Sequence, residues 1–262
     1  MQFNYYRRGQ GKPLLLLHGL GSSWRSWTPL LPDLTAQRDV IALDLPGFGH
    51  TAPLTGKLSV AALADAITEF LTTHGLLGID AVGSSMGGRL VLELARRGVV
   101  GAVVSLDPGG FQRGWEKPFF YRTGQISLAL IRLFQPIMPA LTANPIGRSF
   151  VYAQYSTRPW ALDARLSLIE MQTYAAAPSV HKMMHDLIVF EGEMREGAPK
   201  GSLAKPVVIG WGRHDRVCLP RQAHRALALF PDAALHWFEH SGHYPQWDMP
   251  SETAKLILDV TR

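Results

Sequence analysis

The short strand Ile79-Asp80-Ala81-Val82 runs into Gly83-Ser84-Ser85-Met86-Gly87 and then directly into a helical pattern. A small-x-Ser-x-small turn between a strand and a helix is so sharp that side chains at its flanks would strike the neighbouring backbone, so glycine is demanded there. The turn lifts the Ser85 hydroxyl clear of the chain at one edge of a sheet. It also aims the first amides of the new helix at any oxyanion nearby. A Gly/Ser loop that merely caps a helix is the plainer alternative. The strand before and the helix after favour a nucleophile at Ser85, and Ser84 lacks the register of the turn.

A chain of 262 residues can carry one domain with an insertion. Strand and helix signals alternate around the serine. Strands are expected at 2–8, 14–17, 39–43, 78–82 and 100–106, a helix around Trp24, Trp27, Leu30, Leu31 and Leu34, and further helices at 59–73 (capped by Ser59) and 86–97. Apolar strands separated by helices imply a parallel sheet covered on both faces. Residues 111–200 break the rhythm, with helical stretches near 123–134, 144–155, 161–174 and 178–190. Alternation returns with strands at 206–211 and 233–238 and helices near 220–229 and 249–260. The reading is a core of residues 1–110 and 201–262, with 111–200 inserted as a helical cap over the strands' carboxyl ends, where open α/β sheets form their sites.

A serine hydroxyl needs a base, and the base needs an orienting group. His243, in Ser241-Gly242-His243-Tyr244-Pro245, lies between the last strand and the last helix and can reach over the sheet edge. His240 competes from three residues away, but it directly ends the strand. Asp215 follows the strand 206–211 and is the favoured acid. Asp107, after the strand 100–106, is its rival from the neighbouring loop. Backbone amides of Leu20 and Met86 are the expected oxyanion donors. His18 is read as fixing the Leu20 loop.

Five motifs stand in order: Leu17-His18-Gly19-Leu20-Gly21, Asp44-Leu45-Pro46-Gly47-Phe48-Gly49, Gly83-Ser84-Ser85-Met86-Gly87-Gly88, Gly210-Trp211-Gly212-Arg213-His214-Asp215 and Gly242-His243. With them the chain resembles the α/β-hydrolase fold superfamily over essentially its whole length. The resemblance implies an eight-stranded, mostly parallel sheet, a helical cap inserted after the sixth strand, and a Ser-His-Asp triad that needs no cofactor. Serine at the turn, where haloalkane dehalogenases and epoxide hydrolases carry aspartate, argues against their chemistry.

A net charge of +5 without interleaved basic and aromatic runs speaks against nucleic-acid binding, and leaves room for acidic substrates. Cys218 is the sole cysteine, so no internal disulfide forms, and it is read as a packing residue. No apolar run reaches membrane-spanning length, so the expectation is a cytoplasmic monomer or homodimer without a membrane anchor. His181 and His185 stand four apart but lack an acidic third ligand; they are read as helix surface, and no metal is expected. Gly9-Gln10-Gly11 does not continue into a dinucleotide fingerprint.

Specificity is expected from the cap. Trp115, Phe119, Phe120, Phe134, Met138 and Trp160 are candidates to line or cover an acyl pocket. Arg89 is one helical turn beyond Ser85. A Ser-Met-Gly-Gly-Arg run resembles the menaquinone-pathway synthase that eliminates pyruvate, where it contributes to carboxylate binding. Arg113, Arg122, Arg132, Arg148, Arg158 and Arg165 add cations, partly offset by Glu116 and Asp163. Tyr244-Pro245-Gln246-Trp247-Asp248 is nearer to the tails of meta-cleavage-product hydrolases, which cut carbon–carbon bonds. The leading expectation is hydrolysis of a small or medium, largely apolar carboxylic ester through an acyl-enzyme. Carbon–carbon hydrolysis and pyruvate elimination are alternatives with the same triad, and a non-catalytic binding protein of this fold is the alternative from another class.

Overall fold

The computed structural model describes residues 1–189 and 197–262. Seven strands form one sheet: β1 (Tyr5–Arg8), β2 (Pro13–Leu17), β3 (Asp39–Leu43), β4 (Asp80–Ser84), β5 (Val103–Leu106), β6 (Val207–Gly212) and β7 (Ala234–Phe238). Their order is β1-β3-β2-β4-β5-β6-β7, with β1 antiparallel to β3 and every other pair parallel. The eight strands implied by the resemblance are corrected to seven among the described residues. The chain ahead of β2 supplies a single edge strand, which turns through Gly9 and Gly11, both at positive φ, into β2. The helical insertion therefore follows the fifth strand, not the sixth.

Strand alternation sorts the core onto two faces. Leu15, Leu17, Ile41 and Leu43 point into one apolar cluster with α2 (Val60–Thr73) and α3 (Met86–Arg96). Leu14, Leu16, Val40 and Ala42 point into the other, with Leu31 and Leu34 of α1 (Leu31–Thr35) and Ile257 of α11 (Pro250–Val260). Each strand is thus buried on both sides, which explains the near-continuous apolar runs.

Helix boundaries follow local chemistry. Ser59 caps α2 as expected, accepting from the Ala62 amide. The single helix expected around Trp24–Leu34 is instead a 3-10 turn, Trp24–Trp27, followed by α1. Pro29 has no N–H with which to carry a helical ladder between them. Beyond β5 come α4 (Glu116–Leu133), α5 (Met138–Ala143), α6 (Pro145–Val151), α7 (Ala164–Ala176) and α8 (Val180–Val189). α4 begins seven residues earlier than the apolar pattern suggests, because the Glu116 carboxylate accepts from the Arg113 amide at 3.0 Å. The expected end of the last of these helices at residue 190 lies outside the described residues, as does part of 111–200. The helices form their own core of Ile131, Met138, Tyr152, Leu162, Leu166 and Met171, joined by Trp247 of α10 (Pro245–Asp248). α9 (Gln222–Leu229) packs beside β6. No single described helix is long and apolar enough to cross a membrane.

Candidate active site

Ser85 sits between β4 and α3 with φ 56° and ψ −113°. Among the described residues only Ser85 and Asp107 have positive φ without being glycine, and such strain is stored where a function needs it. A Cβ on Gly83 would stand 2.0 Å from the Gly87 carbonyl oxygen, and one on Gly87 would stand 2.1 Å from that of Leu17. Glycine there is a steric requirement.

Three loops at the carboxyl edge converge on this turn. His243 Nε2 lies 3.0 Å from Ser85 Oγ, and His243 Nδ1 lies 2.8 Å from Asp215 Oδ2. Both partners of that second bond are buried. Asp215 Oδ1 accepts from the amides of Val217 and Cys218 at 2.7 and 2.9 Å, so the carboxylate cannot swing away. With Nδ1–H donating to Asp215, Nε2 is left to accept the serine proton. The competing residues have other partners. Ser84 Oγ accepts from Gln246 Nε2 at 3.2 Å, while His240 is exposed at the start of the turn after β7.

Asp107, on the loop after β5, is buried and influences Asp215 electrostatically. Its Oδ1 accepts from the Gly212 amide at 2.8 Å, while its Oδ2 is buried without a hydrogen-bond partner among the described residues. Burial and the neighbouring Asp215 charge push the Asp107 pKa well up, while Asp215 already takes three donors.

The loop after β2 closes the other side. A Cβ on Gly19 would be 3.9 Å from Ser85 Oγ, so the loop runs against the serine, and Leu20 lines the same cavity. Met86, at the first turn of α3, supplies a helix-terminal amide next to Ser85. His18 holds the loop as expected. Its Nε2 accepts from the Leu45 amide at 2.9 Å, so its Nδ1–H donates to Gly19 O at 2.7 Å, and burial lowers its pKa. Helix α7 presses on the same loop. A Cβ on Gly21 would stand 1.9 Å from the Tyr174 ring, and Ser22 is the hydrogen-bond partner of the buried Glu170. Burial lifts the Glu170 carboxyl to about 7.

The cavity at Ser85 is narrow, about 40 Å³, and its walls include Phe120, Thr123 and Gly124 of α4, Tyr155, Tyr174, Met184 and Tyr244. Of the aromatic and Met residues expected to line it, only Phe120 does so. Trp115, Phe119 and Trp160 are exposed on the outside, while Phe134 and Met138 pack the helical core. Arg89 is likewise elsewhere, buried with its guanidinium 4.7 Å from the Phe111 ring centroid and its pKa brought down to about 10 by burial. It borders a separate cavity of about 370 Å³ with Arg113, Lys117 and Arg225. The tyrosines were missed because they come from three elements far apart in sequence; only Tyr244, adjacent to His243, carried a local hint.

Ligand atoms of Asp215, Cys218 and His243 lie within 4.8 Å of one another. Their chemistry fits a metal poorly. Asp215 and His243 are committed to each other, and burial beside two carboxyls raises the Cys218 pKa and keeps it a thiol. His181 and His185 are exposed on α8.

The sequence model of the alpha/beta hydrolase family matches residues 14–256. A 2-hydroxy-6-oxononadienedioate/2-hydroxy-6-oxononatrienedioate hydrolase of Pseudomonas putida is 28% identical, over 99% of this chain and 91% of its own. The uncharacterized protein Rv2715 of Mycobacterium tuberculosis is also 28% identical, over 98% of this chain and 79% of its own. Among solved structures, an esterase from Thermogutta terrifontis superposes with a TM-score of 0.75 at 19% identity, covering 98% of this chain and 92% of that one. With the fold and the family match in agreement, this chain belongs to the alpha/beta hydrolase family.

Proposed function

We propose that the protein is a serine hydrolase that cleaves small or medium, largely apolar carboxylic esters. The observation that carries this reading is the continuous relay Ser85–His243–Asp215, with contacts of 3.0 and 2.8 Å beneath a narrow cavity. Ser85 Oγ attacks the ester carbonyl as its proton passes to His243 Nε2. The Leu20 and Met86 amides receive the developing oxyanion, and Asp215 stabilises the imidazolium. His243 then gives the proton to the leaving alcohol, and an acyl-enzyme remains on Ser85. Water attacks it by the same route in reverse, releasing the acid. The Val217 and Cys218 amides keep Asp215 in place. The helices between β5 and β6 act as the cap, with α4 and α8 covering the serine and α7 bracing the oxyanion loop.

The lining of the cavity favours an uncharged substrate. Among its described residues none is Lys or Arg, and Tyr155, Tyr174 and Tyr244 offer only neutral hydroxyls. A dicarboxylate such as the one named for the Pseudomonas putida relative would enter this space without a cation to meet it. Carbon–carbon hydrolysis remains the second reading because that relative aligns over almost the whole of this chain.

The test is turnover of p-nitrophenyl acetate and butyrate, with Ser85→Ala lowering kcat by about 10⁴-fold or more. Persisting activity in Ser85→Ala would remove the nucleophile from the scheme. Turnover of a vinylogous 1,5-diketone acid, with simple esters ignored, would move the assignment to carbon–carbon cleavage. Ligand binding without turnover across an ester panel would favour a binding protein.

A further inference from the structure

The large apolar side chains left exposed are not scattered. Among the described residues twelve stand in the open, and nine of them fall between Trp115 and Trp160. Five form one stripe. Trp115, Phe119, Ile126, Leu130 and Leu133, at about 100° per residue, fall within about 60° of arc on the outer face of α4 and its N-terminal cap. Leu133 is 69% exposed and Ile126 59%. Ile137, Ile146 and Phe150, beyond the end of α4, are exposed as well, with the Phe150 ring 6.5 Å from that of Phe134. Soluble chains seldom leave such a contiguous face without a partner.

Charge is concentrated on the same stretch. Residues 113–165 hold seven cations (Arg113, Lys117, Arg122, Arg132, Arg148, Arg158 and Arg165) and two acids, Glu116 and Asp163. That excess of five equals the net charge of the whole chain, so the remainder is neutral. Neither acid opposes the stripe. Glu116 is buried and ion-paired to Arg221 and Arg225, and Asp163 caps α7 through the Leu166 amide. Arg113, Arg122 and Arg132 are exposed along α4 and its approach.

We propose that this face docks on an anionic lipid surface, with the α4 stripe seated among the acyl chains at the headgroup boundary and the flanking arginines on lipid phosphates. An amphipathic helix with Trp, Phe and Leu on one side and cations beside them has the composition of an interfacial helix. Cations at an anionic leaflet add attraction that salt screens. A second copy of this chain is a poorer occupant, because two such faces would set the exposed Arg122 beside one stripe against that of the other. The inner face of α4 carries Phe120, Thr123 and Gly124 over Ser85, so the helix that would touch lipid is the one that covers the candidate site.

The test is co-sedimentation of the full chain with vesicles of phosphatidylcholine alone and of phosphatidylcholine containing about one third phosphatidylglycerol. Binding to the anionic vesicles is expected to be at least tenfold stronger and to fall as salt is raised. The double substitution Leu130→Glu and Leu133→Glu, on side chains that are 42% and 69% exposed, should abolish it while the far-UV spectrum and Tm stay unchanged. A chain that stays in the supernatant, binding equal on both vesicles, or undiminished binding by the double variant would each overturn the proposal. So would a dimer seen by light scattering that the double variant dissolves, since the face would then be a protein interface. Sedimentation uses no substrate, so this result stands or falls apart from the ester-hydrolase reading.

Discussion

Replacing Glu170 by glutamine preserves the shape of the side chain and an oxygen for the Ser22 hydroxyl, and removes only the ability to ionise. The carboxyl is buried, its second oxygen has no described hydrogen-bond partner, and its surroundings include Tyr152, Tyr155 and Tyr244. In the fold it titrates near 7, raised by burial, against an ordinary 4.5. The fold therefore holds a proton that the unfolded chain releases earlier. Stability from this group is intact below about pH 4.5, falls as pH rises toward 7, and stays lowered above it. At about 1.4 kcal/mol per pKa unit the full loss is about 3 kcal/mol. For a chain of this size that corresponds to roughly 6–9 °C in Tm. Thermal unfolding followed by circular dichroism at pH 5 and pH 8.5 reads it directly. Wild type and Glu170→Gln should melt close together at pH 5, with the variant several degrees higher at pH 8.5. A gap of equal size at both values, or a wild type that is the more stable protein at pH 8.5, would refute the buried, proton-holding carboxyl.

Other outcomes follow from the same geometry. Asp107→Asn, which keeps an acceptor for the Gly212 amide, should retain esterase activity within a fewfold, whereas Asp215→Asn should lose about 10⁴-fold in kcat; the reverse pattern would make Asp107 the orienting acid. Gly87→Ala drives a methyl into the backbone of β2 and should cost about 2 kcal/mol or more, visible as a lower urea midpoint; unchanged stability would mean that α3 sits farther from β2. Gly124→Val places carbon atoms against the Met184 thioether in the cavity wall. It should reduce kcat/KM for a butyrate ester about tenfold relative to the acetate, and equal effects on both esters would put the acyl group elsewhere.

Much of this protein is determined by its sequence alone. Gly83, Gly87 and Gly88 leave the chain no milder course around Ser85, because a side chain there meets backbone on both sides. The apolar runs that become β2 to β5 can only be strands buried on two faces, and the loops after β4, β5, β6 and β7 carry Ser85, Asp107, Asp215 and His243 to one edge. Local pattern and global topology agree in this part of the molecule, so it could be read directly. The strand count was less legible, since a resemblance carries a strand number that the chain ahead of β2 does not provide.

Tertiary structure alone decided the rest. Whether Asp107 or Asp215 faces His243 depends on a few ångströms between adjacent loops: the sequence favours Asp215 and leaves Asp107 as its rival, and the packed loops bring Asp215 Oδ2 to 2.8 Å from His243 Nδ1. The cavity wall was misjudged for a related reason. Trp115, Phe119 and Phe120 lie within six residues, yet only Phe120 turns inward, because α4 must show one face to Ser85 and the other to the outside. Arg89 shares a helix with Met86 but is carried round to Phe111, away from the serine. Side chains on a helix are assigned to opposite environments by what packs against it. That packing is a property of distant residues, which no local pattern records.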